Sequence, residues 1–246
     1  MQRTVRAWSR MPLPRGPALM VLGYHRIAER DDGLTVRPST FAAHIGWLAA
    51  HRAEPPVVDV ENAAAGAEEW PWRGVALTID DAWADVYENG LEVLSRAAIP
   101  VTLYVPSELL GTAEYMTHAQ VRECAAAGIS IGGHSRSHAD LRRCDDASLE
   151  RELRGCREDL EDLLGAPVTG FAYPFGHVDG RVRDAVASAG YTTAITTRRG
   201  WARPGRDPLC VPRSFVADVG LSTFRATVRG GLNVLRAADA LRVNTG

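Results

Sequence analysis

Asp80-Asp81, His134 and His138 are the residues of this chain best placed to do chemistry together. The aspartates follow the apolar run Val75-Ala76-Leu77-Thr78-Ile79, and the histidines follow Ile129-Ser130-Ile131-Gly132-Gly133. Each pair therefore sits where a buried strand ends, and two strand ends offer two carboxylates and two imidazoles. One carboxylate and two histidines form a three-ligand set with open positions, the donor pattern of a catalytic divalent metal. The other carboxylate is left to act as a base.

The spacing sets conditions on the backbone. Neighbouring side chains of a strand point to opposite faces, so Asp80 and Asp81 share a pocket only if the strand ends between them. A direct passage into a helix at Ala84 meets that condition; read alone, the pair is a helix cap and a solvated acid. Histidines at i and i+4 meet on one side if the segment turns helically. Gly132-Gly133 just before them allow close backbone approach and an irregular turn. A third piece, Phe171-Ala172-Tyr173-Pro174-Phe175-Gly176, ends a strand in an aromatic-Pro-aromatic-Gly turn. At the least it is a packing corner. As a functional feature, Tyr173 and Pro174 form a substrate-groove wall and the Phe175 backbone N–H faces a developing oxyanion.

The elements that must carry these residues alternate. Strand patterns cover Ala18–Gly23, Val57–Val60, Val75–Ile79, Val101–Val105, Ile129–Gly133, Val168–Tyr173, Tyr191–Thr196 and Leu209–Val216. Helical patterns cover Ser39–His51, Ala84–Ala97, Thr117–Ala127, Arg181–Ala189 and, most clearly, Ala147–Leu164, opened by Asp146 and closed by Gly165. Ser222–Val228 and Ala237–Leu241 are weaker helical stretches. Strands alternating with helices imply βαβ units and a parallel sheet. Seven or eight such strands make an α/β fold of the (β/α) barrel kind in a single domain, residues 18–246, after an N-terminal extension, 1–17. Active sites of such barrels lie at the C-terminal strand ends, where all three motifs fall.

Composition removes other function classes. The 246 residues carry a net charge of −2, with no lysine among 28 basic residues, which gives no electrostatic footprint for nucleic acid or an anionic membrane. No segment approaches a membrane span. Four cysteines without Cys-x-x-Cys spacing exclude a zinc ribbon and suit free thiols. Met1 to Pro17 has four arginines and three prolines but no apolar core, so the expected location is the cytoplasm. Oligomeric state is open.

Thr78-Ile79-Asp80-Asp81, His134-Ser135-Arg136-Ser137-His138 and Tyr173-Pro174-Phe175-Gly176 resemble, in order and spacing, three successive motifs of the polysaccharide deacetylases, carbohydrate esterase family 4. Tyr24-His25-Arg26-Ile27 is similar to the opening strand of many members. The resemblance spans roughly residues 18–216. It implies a distorted (β/α) barrel and metal-assisted removal of an acetyl group. It makes Asp80 the general base, Asp81, His134 and His138 the metal ligands, and the Phe175 N–H an oxyanion donor. The implied cofactor is one divalent metal ion, with zinc preferred and cobalt, nickel, manganese or iron compatible.

The chain departs from the family pattern in three places. Ala82 stands where a glycine usually follows the aspartates. Ala172 stands where the third motif often has an arginine orienting the base, a charge that Arg213 on a late strand can supply. No late Leu-x-His histidine is present; His25 is the substitute general acid, with His177 second. Trp83 is a candidate sugar-packing side chain. The expected function is hydrolysis of an acetamido group on a sugar or sugar-containing intermediate. Hydrolysis of another non-peptide C–N bond and non-catalytic carbohydrate binding are the alternatives.

Overall fold

The computed structural model describes residues 13–66 and 69–229. Among them are nine strands: β1 (Leu19–Tyr24), β2 (Arg26–Ile27), β3 (Thr35–Val36), β4 (Gly74–Asp80), β5 (Thr102–Val105), β6 (Ser130–Gly133), β7 (Gly170–Ala172), β8 (Thr193–Ile195) and β9 (Ser214–Phe215). The helices are α1 (Pro38–Ala50), α2 (Val60–Ala64), α3 (Ala84–Ala97), α4 (His118–Ala126), α5 (Asp146–Glu150), α6 (Cys156–Leu164), α7 (Gly180–Ser188) and α8 (Leu221–Val228).

Runs that are apolar at nearly every position need cover on both faces, and β1 and β4 are buried at every residue. They pair in parallel, from Leu19 opposite Gly74 to Tyr24 opposite Ile79. Seven parallel strands follow in the order β8-β7-β6-β5-β4-β1-β9. Ile195 at the β8 edge makes a parallel bridge to Val211, three residues before β9, so the two edges approach each other. The sheet is thus curled into a distorted barrel, as expected.

Strand alternation divides the core. Leu19, Val21, Ala76, Tyr104, Ala172, Ile195 and Val211 gather in one cluster from different strands. Their neighbours Met20, Leu22, Leu77, Leu103 and Phe171 join the larger cluster beneath the helices. Asp80 continues the series Ala76, Thr78, Asp80 on the first of these faces.

Several boundaries differ from expectation. Val57–Val60 is not a strand: Val57 makes a single bridge to Val75, and Asp59 caps α2 by accepting from the Glu61 and Asn62 N–H groups. Leu209–Val216 shortens to β9 because Pro208–Cys210 forms a 3₁₀ turn and Pro212 has no N–H to give. α1 starts at Pro38, one residue before the expected Ser39. The long helix is capped by Asp145 rather than Asp146, and a π turn at Arg151–Gly155 interrupts it between α5 and α6. Ala237–Leu241 and most of the N-terminal extension lie outside the described residues. No helix among the described residues is long and apolar enough to cross a membrane.

Candidate active site

β4 runs to Asp80, and the backbone then turns left-handed at Asp81 (φ 74°) and Ala82 (φ 53°). This reversal is the strand end that two adjacent aspartates require to face one cleft. Ala82 accepts that backbone without being glycine, at a cost of about 1–2 kcal/mol. Among the described residues, five of the seven non-glycine residues with positive φ lie in the three motif turns: Asp81, Ala82, Ser135, His138 and Phe175. Strain of this kind persists where surrounding structure over-determines the chain.

β6 delivers the histidines. A Cβ on Gly132 would stand 2.5 Å from the Tyr104 ring, so the close approach expected of that glycine is real. His134 Nδ1 meets the Ala172 carbonyl at 2.7 Å, which places the proton on Nδ1 and leaves the Nε2 lone pair facing Asp81. His134 Nε2 and His138 Nε2 each stand 3.3 Å from Asp81 Oδ1.

The donor set fits a metal ion. Asp81 Oδ1 is buried and accepts no hydrogen bond, whereas Oδ2 accepts from the Trp83 indole N–H at 3.0 Å. Bonds of about 2.0–2.1 Å at tetrahedral angles put neighbouring ligand atoms about 3.3–3.4 Å apart, close to the two separations observed. All three ligand atoms lie within 4.8 Å of one another. Electrostatics agree. Burial opposes charge on Asp81, yet the His134 and His138 rings hold its carboxyl well below the usual range. Burial likewise opposes charge on His134, and Asp81 and Asp80 outweigh it, raising the ring's pKa. The cluster therefore attracts positive charge, whether proton or metal.

Asp80 is 2% exposed and Arg213 1%. Arg213 donates to Asp80 in bidentate fashion, Nη1 to Oδ1 and Nη2 to Oδ2 at 2.6 Å each, and Nη1 also reaches Thr78 Oγ1 at 3.1 Å. Burial alone would raise the Asp80 carboxyl; Arg213 and the nearby histidines reverse that and lower it. His25 Nε2 stands 3.9 Å from Asp80 Oδ2, and its ring packs on Phe215 at 4.6 Å.

A cleft of about 320 Å³, part of it open to solvent, joins His25, Asp80, Asp81, His134, His138, Tyr173, Phe175 and Arg213 with Gly176, Thr197 and Phe215. Eight of the eleven residues nominated from the sequence thus converge. Trp83 and Pro174 stand outside that lining. Trp83 packs on Tyr115 and under the Arg26 guanidinium, at 4.3 Å each. Pro174 is buried in the turn that presents Phe175, whose φ is 59°. The Tyr173 hydroxyl is turned away to the Leu209 carbonyl, 3.0 Å. His177 lies beyond the Phe175 ring and pairs with Asp140 at 3.1 Å, so it is not among the cleft residues. Thr78, Thr197 and Phe215 were not singled out by sequence reasoning; Thr78 alone had a local signal, being two residues from Asp80 on the same strand face.

A parallel barrel with this cleft at the carboxyl ends of its strands has the build of a (β/α)-barrel hydrolase. Comparison with known proteins gives the particular group. The polysaccharide deacetylase profile matches residues 68–194, and the chain belongs to that family. YxkH of Bacillus subtilis (strain 168) is 25% identical over 197 residues, 80% of this chain and 70% of that one. The chitooligosaccharide deacetylase of Rhizobium leguminosarum bv. trifolii is 28% identical over 157 residues, covering 62% and 69% of the two chains. Among solved structures, the polysaccharide deacetylase BC0361 of Bacillus cereus superposes with a TM-score of 0.76 at 25% identity, over 87% of this chain and 69% of that one.

Proposed function

We infer that this protein is a metal-dependent deacetylase acting on an acetamido sugar or a sugar-containing intermediate. The observation that carries the reading is Asp81 Oδ1, buried without a donor and faced by two imidazole Nε2 atoms at 3.3 Å, beside a second carboxylate locked by Arg213. Relatives named as deacetylases of chitooligosaccharide and of poly-beta-1,6-N-acetyl-D-glucosamine support the substrate class.

Asp81, His134 and His138 would hold the ion, with zinc the preferred occupant. When bound, it polarises the acetyl carbonyl and acidifies a water. Asp80 takes the proton from the attacking water, and Arg213 keeps that carboxylate ionised and aimed. The Phe175 N–H faces the oxygen that gains charge as the carbonyl carbon becomes tetrahedral. His25, on the Asp80 side of the cleft, gives a proton to the departing amine. That assignment replaces the late histidine the chain lacks. Four cysteines without disulfides favour a reducing compartment and hence the cytoplasm.

Bound metal is quantified in the purified protein and in His134→Ala. Acetate release from N-acetylated sugars is then followed with zinc, cobalt, nickel or manganese added. Metal-dependent release that is lost together with metal in the variant is the expected result. Sugar binding without turnover under every metal would replace this reading by a carbohydrate-binding one.

A further inference from the structure

His134 and His138 reach the site on a loop whose Ser135 and His138 are both left-handed, φ 59° and 61°. Such a backbone needs an external template, and one side chain supplies most of it. Glu152 Oε2 accepts from the N–H groups of Arg136 and Ser137 at 3.0 Å each, and Oε1 accepts from Ser137 Oγ at 2.6 Å. The main-chain oxygen of Glu152 takes the same Arg136 N–H at 3.2 Å.

Glu152 lies in the π turn at Arg151–Gly155. A π turn widens the helix and disturbs its carbonyl ladder, and such turns collect at functional sites. Gly155 in that turn lies under Arg136, where a Cβ would meet the Arg136 Cδ at 2.7 Å. Further along, Asp159 Oδ2 accepts from Arg136 Nε at 2.9 Å. The loop's other side is held by the N–H groups of Ser107 and Glu108, which donate to the Ser135 and Arg136 carbonyls. Every residue between the two histidines is thus gripped from outside the cleft.

We propose that Glu152, presented by the π turn, is a positioning residue that fixes the loop so that both imidazoles stay aimed at Asp81 Oδ1. The inference rests on the metal reading above. It assigns a purpose to the π turn between α5 and α6.

The test is zinc affinity by competition with a chromophoric chelator, together with the visible absorption of the cobalt-loaded proteins. Both are read at a temperature where the metal-free proteins are folded by circular dichroism. Glu152→Ala is expected to bind zinc about 10–100-fold more weakly, as loss of outer contacts to metal ligands does, and to shift the cobalt spectrum. Glu152→Gln is expected to recover most of the affinity. Its amide oxygen can accept both N–H groups, and its NH₂ can donate to Ser137 Oγ. Glu158→Ala, exposed on the same helix, stays at the parent value. Parent-like affinity in Glu152→Ala overturns the proposal, and so does a glutamine variant as weak as the alanine one. A parent that binds neither zinc nor cobalt overturns the metal reading itself.

Discussion

Asp80 accepts from Arg213 on both carboxylate oxygens, and both side chains are almost fully buried, so the pair is tightly interdependent. Arg213→Met leaves a buried carboxylate without its countercharge, and urea denaturation is expected to show a loss of about 3–5 kcal/mol. Asp80→Asn combined with Arg213→Met should be less destabilised than the two single losses added together; simple additivity would mean that the ion pair is not the controlling contact. Asp80→Asn alone should lower acetate release by about 10²–10⁴-fold while the protein still binds metal. Loss of metal as well would move Asp80 into the ligand set. Trp83 acts one step further out. Its N–H occupies Asp81 Oδ2 and leaves Oδ1 for the ion. Trp83→Phe keeps the ring against Tyr115 and Arg26 but is expected to weaken zinc binding about tenfold, which chelator competition measures.

At the scale of elements, the strand ends were legible because apolar runs, glycines and prolines are local signals. Some helix ends have local signals of the same kind. Gly165 closes α6 with φ 65°, and Thr117 and Gln120 form a capping box at the start of α4. Ala98 closes α3 in the left-handed region, φ 47°, with its side chain exposed. Glycine there escapes a steric cost of about 1–2 kcal/mol and adds about 0.5–1 kcal/mol of unfolded-state freedom. Ala98→Gly is therefore expected to raise the melting temperature by about 2 °C; a lower one would show that the α3 turn does not hold Ala98 left-handed. The π turn had no comparable signal. The Ala147–Leu164 pattern reads as one helix, and only packing against the histidine loop distinguishes its middle.

For the molecule as a whole, the two ends of the barrel have opposite electrostatic characters. At the cleft, acids are held ionised. Near the first residues of β6 and β7, Glu61 is covered by Thr169 and Tyr104 and lies beside Asp59. Burial first, and Asp59 second, push its carboxyl up to about 7. The unfolded chain releases that proton at about pH 4.3, so the folded chain binds more protons between there and pH 7. Stability therefore falls as pH rises through that window and the loss is complete above it. Partial exposure of the residue limits the effect to about 1–3 kcal/mol. Urea titrations of the parent and Glu61→Gln should agree near pH 4 and diverge by pH 8, with the variant the more stable. Equal pH dependence in both would mean that Glu61 titrates as it does in the unfolded chain.

Sequence by itself determined most of the alternation of strands and helices, the placement of three motifs at strand ends, and the donor types: two carboxylates, two imidazoles and an aromatic turn. These follow from composition and spacing within short windows. The tertiary structure decided the rest. It joined Arg213 to Asp80 across 133 residues, brought His25 and not His177 into the cleft lining, set the Trp83 indole N–H on Asp81, and put Glu152 beneath the histidine loop. Each of these is a contact between segments far apart in the chain. The curl of the sheet creates such contacts, and local periodicity carries no record of them.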